Sequence, residues 1–584
     1  MKEKGVDIYY VPNEDDHLSA EYTAPYFQCK SFLSGFTGES GCLIVTKSFA
    51  GLWTDGRFFT QAERELENTC VTLMRLRQEG VMDPLSFLMQ KTPKNGTLGF
   101  DGRVVSTAAA RRLAEALKKK NAKLRMDLDL AGAVWGKERP SMPGGKLFLL
   151  DRKYTGEDCA ERIKRVRAAM KEKGADTLIL TSLEDPCWML NIRGSDIECT
   201  PVAYAFAMVT MTKVFYYVGF EKVTPAVKEY LAEHKISVRP YSMLGNDMAA
   251  LKERVIWADL SRLSAALYSR LDASNTVISE PSPILKFRAV KNETEIRSTV
   301  NAHIRDGAAM VKFLCWVKQA VGKEEVTEVS AQDYLDALRK EDRDFIELSF
   351  PTISAYKENG AMMHYRATEE NHAAVKPKSF LLVDSGGTYK DGTTDITRTI
   401  AMGKLTAEEK RMYTKVLKGH LALARARFLY GTAGNNLDIL ARMPLWSEYT
   451  DYQCGTGHGV GHVLSVHEGP QSVAWGSRGS AVLEPGMIVT DEPGIYIPGK
   501  IGIRIENELL VVTAEKNFYG QWLQFRNLTF CPYETEAIDL SLLDEEEIAQ
   551  LNAYHKTVFE TLSPYLGMKE KAWLKQATKA VKKA

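Results

Sequence analysis

No two cysteines in this chain are spaced as CxxC. Its nine lie scattered at 29, 42, 70, 159, 187, 199, 315, 454 and 531. An odd, unclustered set in 584 residues excludes a disulfide framework or a thiolate zinc cluster, and reads as reduced thiols in a cytoplasmic protein. No apolar run approaches the ~20 residues that cross a bilayer, so no membrane helix is expected. The opening segment, MKEKGVDIYYVPNEDDH, is charged where a secretory signal needs an apolar stretch. An excess of charge of one sign is missing too: 76 Lys and Arg stand against 75 Asp and Glu, a formal net charge of +1. That balance argues against nucleic acid or a membrane surface as partner. Low-complexity tracts are absent. With 45% hydrophobic residues, the chain has material for several buried cores, and about four domains are expected at ~150 residues each.

What the chain does have is an internal repeat. MKEKGVD at 1–7 returns as MKEKGAD at 170–176, six identities in seven. Both copies run into β-prone segments, IYYVP at 8–12 and TLILT at 177–181, and then meet acidic patches, Glu14-Asp15-Asp16 and Glu184-Asp185. A helix that ends at Gly (Gly5, Gly174) and feeds a buried strand is a common α/β connection, so two similar α/β domains are predicted. In the second copy a helix from Cys159 to Lys173 precedes the Gly. The stretch GKERPSMPGG (136–145) suits a linker, which sets the first domain at 1–140 and the second at 141–292. Asn292 and Glu295 form a capping-box variant, after which Ile296, Val300, Ile304, Ala308, Val311 and Leu314 keep helical spacing through 317. Residues 293–584 then form one large α/β domain, strand-like at 379–384, 393–400, 487–497 and 501–512, with a C-terminal extension from about 520. The basic end around Trp573 reads as a packed terminal helix with a solvated Lys face, not a membrane or nucleic-acid arm.

Four acids in this last domain sit in unusual settings. Asp384 ends the apolar run SFLLVD, and Asp395 lies in TTDITRTI beyond the Gly-rich turn SGGTYKDG. A hairpin centred between Tyr389 and Lys390 would put the two carboxylates directly opposite each other. Glu492 in MIVTDEPG and Glu506 in GIRIENELLVV would face each other about Gly499 in the same way. Alternation places Ile501, Ile503 and Ile505 on one face, and Arg504, Glu506 and Glu508 on the other. Opposed acids on an apolar sheet are costly without a cation, and two such pairs in one domain argue for metal. Histidines stand near: His364 in NGAMMHYRA, and His458, His462 and His467 in CGTGHGVGHVLSVHEGP. The spacing of His458 and His462 mimics a helical zinc-protease motif, but Gly459 stands where that motif has Glu, and alternate glycines forbid a good helix. A phosphate loop at GIYIPGKI is rejected because Ile501 replaces the needed Ser or Thr. Four carboxylates and an imidazole form a hard, oxygen-rich donor set that suits two divalent ions, Mn²⁺ first and Co²⁺ or Fe²⁺ in vitro. That is the arrangement of a two-metal hydrolase, in which the metals activate a shared water and polarise a carbonyl.

At these residues the chain resembles aminopeptidase P (Xaa-Pro aminopeptidase) in its cytosolic three-domain form. The resemblance covers essentially the whole chain: SGFTGESGCLIVTKSFAGLWTDGRFFTQAERELE, KFRAVKNETEI, AHIRDGAAM, CGTGHGVGHVLSVHEGP, VTDEPGIY, GIRIEN and TFCPYETEAIDLSLL. It implies two creatinase-type α/β domains and a pita-bread catalytic domain, the whole of mixed α/β (α+β) class. It implies that Asp384, Asp395, His458, Glu492 and Glu506 are the metal ligands, with Asp395 and Glu506 bridging and Glu492 doubling as general base on a metal-bridged hydroxide. His364 and His467 are implied to bind the scissile carbonyl, and Tyr496 and Arg504 to lie near the proline-side pocket and the bridging Glu. Cys454 stands where the family often has a further His. His462 is read as a satisfied or exposed residue, and His17, His234, His303, His372, His420 and His555 as structural or surface residues. The implied substrates are peptides that begin Xaa-Pro, and the implied assembly is a homodimer. The alternatives are prolidase, which takes dipeptides and usually has one N-terminal α/β domain, and a non-catalytic peptidase-like binding protein, which would have lost ligands.

Overall fold

The structure is a computed structural model that describes residues 1–19, 21–476 and 481–583. The chain divides into two compact units, Met1–Arg152 with Glu157–Leu285, and Lys153–Gly156 with Lys286–Ala584. No helix among the described residues is long and apolar enough to cross a membrane.

The first unit holds two six-stranded sheets of the same topology. One runs in the order 71–75, 50–54, 42–46, 8–12, 97–99, 123–125, and the other 236–239, 214–218, 205–210, 177–180, 255–257, 276–278. In both, the outer pairings are parallel and the two in the middle antiparallel. The sequence repeat maps onto this match, because Ile8–Pro12 and Thr177–Leu180 take the same place in their sheets. Gly5 (φ 66°) and Gly174 (φ 69°) close the turns before them in the left-handed conformation that glycine adopts without penalty. The helix Cys159–Lys173 carries a full capping box, Asp158 with Glu161, while the first copy has only a three-residue turn at Lys2–Lys4. The acidic turn after the first copy is spent on packing. Asp15 accepts from the Tyr204 hydroxyl at 2.7 Å, and His17 stacks on Phe206 at 3.9 Å between ring centroids.

The second unit is built on the helix Glu293–Ala320, capped by Asn292 and Glu295 as the sequence predicts. Its apolar face, including Met310, Phe313, Leu314 and Val317, packs on the strands Phe380–Ser385 and Ile396–Ala401. The terminal helix Met568–Ala577 buries Leu574 in a cluster with Val311, Val558 and Leu562.

The two predicted acid hairpins behave differently. Around Gly499 the register is as expected: Asp491 pairs with Asn507, and Gly494 with Arg504, about the same centre. The first hairpin needs a correction. Asp384 pairs with Thr397, and the centre lies between Lys390 and Asp391, one residue later than expected, because Tyr389 and Gly392 are the last paired residues before the turn. Asp384 and Asp395 are therefore diagonal neighbours rather than direct partners. The shift moves every partner by two residues, which preserves the face, so the two acids still point the same way.

Candidate metal centre

The four acids meet where the sheets change partners. Pro493 has no N–H to give to a ladder, and the pairing about Gly499 is interrupted at Glu492-Pro493 and Ile505-Glu506. The freed amides turn outward: Glu492 N donates to Thr456 O at 2.8 Å, and Glu506 N to Thr397 O at 3.1 Å. The two acids are thereby docked onto the histidine segment and the first hairpin. The alternate glycines of the histidine segment belong to extended chain, not helix. Gly457 runs so close to Thr490 that a Cβ would lie 1.9 Å from its carbonyl oxygen, and Gly459 meets Glu468 O at 2.0 Å in the same sense.

Asp395, His458 and Glu506 bring ligand atoms within 4.8 Å of one another. His458 Nε2 lies 3.4 Å from both Asp395 Oδ2 and Glu492 Oε1. Its Nδ1 faces Gly459 O at 3.0 Å; a carbonyl only accepts, so Nδ1 carries a proton, and Nε2 is the nitrogen turned to the acids. Asp384 completes the group, held through Oδ2 by Arg504 Nη2 at 2.5 Å. Tyr496 accepts from Arg504 Nη1 at 2.7 Å. The His467 ring packs on His458 with centroids 4.0 Å apart. His364 is half-buried, and the carbonyl of its neighbour Met363 lies 3.5 Å from Arg504 Nη2. Cys454 is half-buried, and its carbonyl accepts from Arg442.

The electrostatics ask for a cation. Burial, with Asp395, Glu492 and Asp384 around it, pushes Glu506 well above the usual carboxylate range. Burial raises Asp395 to about 6, helped by Asp384 and Glu492 and opposed by His458. Burial alone would lower His458, but Asp395 and Glu492 lift it to about 9. Among the described residues, Asp384 Oδ1 and Asp395 Oδ1 are buried with no hydrogen-bond partner. Orphaned carboxylate oxygens beside an imidazole nitrogen fit hard divalent ions.

Several supporting residues were not singled out from the sequence. Thr397 Oγ1 donates to Glu506 Oε2 at 2.7 Å, Thr490 Oγ1 to Glu492 Oε1 at 3.2 Å, and the buried Arg398 to Glu506 O at 2.6 Å. Strand alternation carries the signal for one of them: Thr397 and Thr399 follow Asp395 at steps of two, and Thr399 Oγ1 holds Arg504 O. The remaining histidines lie elsewhere. His462 is buried between Thr299 Oγ1 and Tyr154 O, His303 faces Glu508, and His420 faces Asp491. His17 and His555 are buried, His234 is half-buried and His372 exposed.

Residues 298–513 match metallopeptidase family M24, and 521–581 match the C-terminal region of these peptidases. Residues 1–126 and 138–295 each match a creatinase/prolidase N-terminal domain. Aminopeptidase P1 of Arabidopsis thaliana is 39% identical over 99% of this chain and 97% of its own. Xaa-Pro aminopeptidase 1 of Dictyostelium discoideum is 37% identical over 99% of this chain and 95% of its own. Among solved structures, the X-prolyl aminopeptidase of Caenorhabditis elegans, described as a cytosolic enzyme with a di-nuclear active site, superposes with a TM-score of 0.94 at 33% identity, over 99% of this chain and 95% of that one. The Xaa-Pro dipeptidase of Bacillus anthracis covers only 65% of this chain, at a TM-score of 0.52 and 26% identity, and is matched over 99% of its own length. By its end-to-end likeness to these aminopeptidases, the chain belongs to the aminopeptidase P family, on the pita-bread catalytic fold of the M24 metallopeptidases.

Proposed function

We propose that this protein removes the N-terminal residue from peptides with proline in the second position. The observation that carries this reading is the convergence of Asp395, His458 and Glu506, with Glu492 beside them, in a chain similar over its whole length to Xaa-Pro aminopeptidases. Asp384, Asp395, His458, Glu492 and Glu506 would hold two divalent cations, Mn²⁺ by the hardness of the donors. When bound, such a pair lowers the pKa of a shared water and polarises a carbonyl. Glu492, its Oε1 oriented by Thr490, accepts the attacking water's proton and returns it to the prolyl nitrogen as the C–N bond breaks. His364 and His467 donate to the scissile carbonyl oxygen as charge builds on it. Tyr496 and Arg504, linked to each other, border the proline ring. Chelator-stripped protein resupplied with Mn²⁺ is expected to release free Arg from Arg-Pro-Pro; activity confined to the dipeptide Gly-Pro would make it a prolidase instead.

The same reading places domain boundaries near 140 and 292, outside the two six-stranded sheets, and the protein in the cytoplasm, as described for the nematode enzyme. It also includes a homodimer. The helix Gly434–Trp446 leaves Ile439, Met443 and Trp446 exposed at helical spacing, and Trp475 stands beside Trp446 at 6.3 Å between ring centroids. A contiguous exposed apolar patch of this kind favours a second copy of the same surface. Met443→Glu is expected to halve the mass seen by light scattering; an unchanged mass would remove this surface from the interface.

A further inference from the structure

We infer that Glu328 is the residue that positions His364. The inference rests on the peptidase reading above, and on the role given there to His364. Glu328 opens the helix Glu328–Lys340 and is fully buried. Burying a carboxylate is costly unless donors satisfy its oxygens, and Glu328 finds four of them in one segment. Its Oε1 accepts from Tyr356 N at 2.5 Å and Asn359 Nδ2 at 3.0 Å. Its Oε2 accepts from the Tyr365 hydroxyl at 2.8 Å and Ala373 N at 2.6 Å. Glu328 N in turn donates to Ala373 O at 3.0 Å. One side chain thus ties together both ends and the middle of residues 356–373, and His364 lies next to one of its anchors.

The opposite side of this segment sits on the metal centre. Gly360 and Gly502 touch backbone to backbone, since a Cβ on Gly502 would lie 1.7 Å from Gly360 O. Met363 O faces the same Arg504 nitrogen that holds Asp384. His364 is therefore flanked by Met363, which faces the acid cluster, and Tyr365, which is held by Glu328. Four donors converge on Glu328 and it offers only acceptors in return. Gln has the same shape but must turn an NH₂ toward one pair of those donors, which opens the clamp on one side.

The test compares Glu328→Gln, His364→Asn and the double variant in the Mn²⁺-loaded protein on Arg-Pro-Pro. Glu328→Gln is expected to lower kcat by about 10- to 100-fold, as a misplaced catalytic group does, with KM and the metal content little changed. His364→Asn is expected to lower kcat by about 100-fold or more, and the double variant no further, because a positioning residue has nothing left to position. Hydrogen–deuterium exchange should quicken across 356–373 in Glu328→Gln. Multiplicative losses, or unchanged exchange in that segment, would overturn the assignment. If Glu328→Gln does not fold, Tyr365→Phe removes one donor and carries the same comparison. A wild-type protein inert on Arg-Pro-Pro, with the segment still loosened by Glu328→Gln, would overturn the peptidase reading and keep the clamp.

Discussion

Glu506→Ala is expected to lower kcat/KM by more than about 10³-fold, since losing even an outer partner of a metal ligand costs 10- to 100-fold, and to leave fewer than two metals per chain by elemental analysis. Glu506 has several neighbours of its own sign: Asp395, Glu492 and Asp384 all act on it. It is also anchored, with Thr397 on its carboxylate and Arg398 on its carbonyl. The backbone anchor survives the substitution, so the loss falls on the metals rather than on the fold. A further consequence separates the two. Removing one of several repelling carboxylates should make the metal-free variant at least as stable as metal-free wild type at pH 8, although it is inactive. An active variant with two metals would refute the site, and a metal-free variant that melts far below metal-free wild type would show that Glu506 serves the fold instead.

The second large effect is in the pH dependence of stability. In the metal-free protein Asp395 lies at about 6, above its ordinary 3.8, and Glu506 lies well above its own ordinary value. A carboxyl raised by folding stabilises fully below its unfolded pKa, and that contribution is lost as pH rises through the folded one. His458, raised from 6.5 to about 9, acts in the same direction: its contribution is present below 6.5 and is lost as pH rises through 9. The metal-free protein should therefore lose stability steadily from about pH 4 to pH 9, with Asp395 alone accounting for something on the order of 3 kcal/mol. Cations bind the deprotonated forms, so their stabilisation grows over the same range. Calorimetric Tm values in chelator and in Mn²⁺ should diverge from pH 5 to pH 8. A gap that narrows with rising pH would contradict the cluster of acids.

Much of this was legible in the sequence because it rests on periodicity. Alternation put Arg504 and Glu506 on one face opposite the buried Ile501, Ile503 and Ile505, and a glycine at the turn set the register about Gly499. The repeat at 1–7 and 170–176 marked two sheets of one topology. The first hairpin was misplaced by one residue because the chain around SGGTYKDG offers several turns, and only the pairing of Tyr389 with Gly392 selects one. The geometry of the acids alone did not choose among four nearby histidines; that choice came from the resemblance. The supports hidden from the sequence are those that act over long separations. Arg398 reaches Cys531 and Tyr554, and Glu328 reaches a segment beginning 28 residues away. No local spacing encodes such contacts.

The break at Pro493 has a consequence for how the protein folds. The two halves of the centre form on different timescales: the pairing about Gly499 is local and can close within microseconds, while joining it to Asp384, Asp395 and His458 requires closing loops of tens to more than a hundred residues. The late step brings like charges together at the interrupted ladder, where the Glu492 and Glu506 amides find their partners only on Thr456 and Thr397. The like charges meet only once these long loops close, so protons or divalent ions, which neutralise the acids, would lower the cost of joining the two halves.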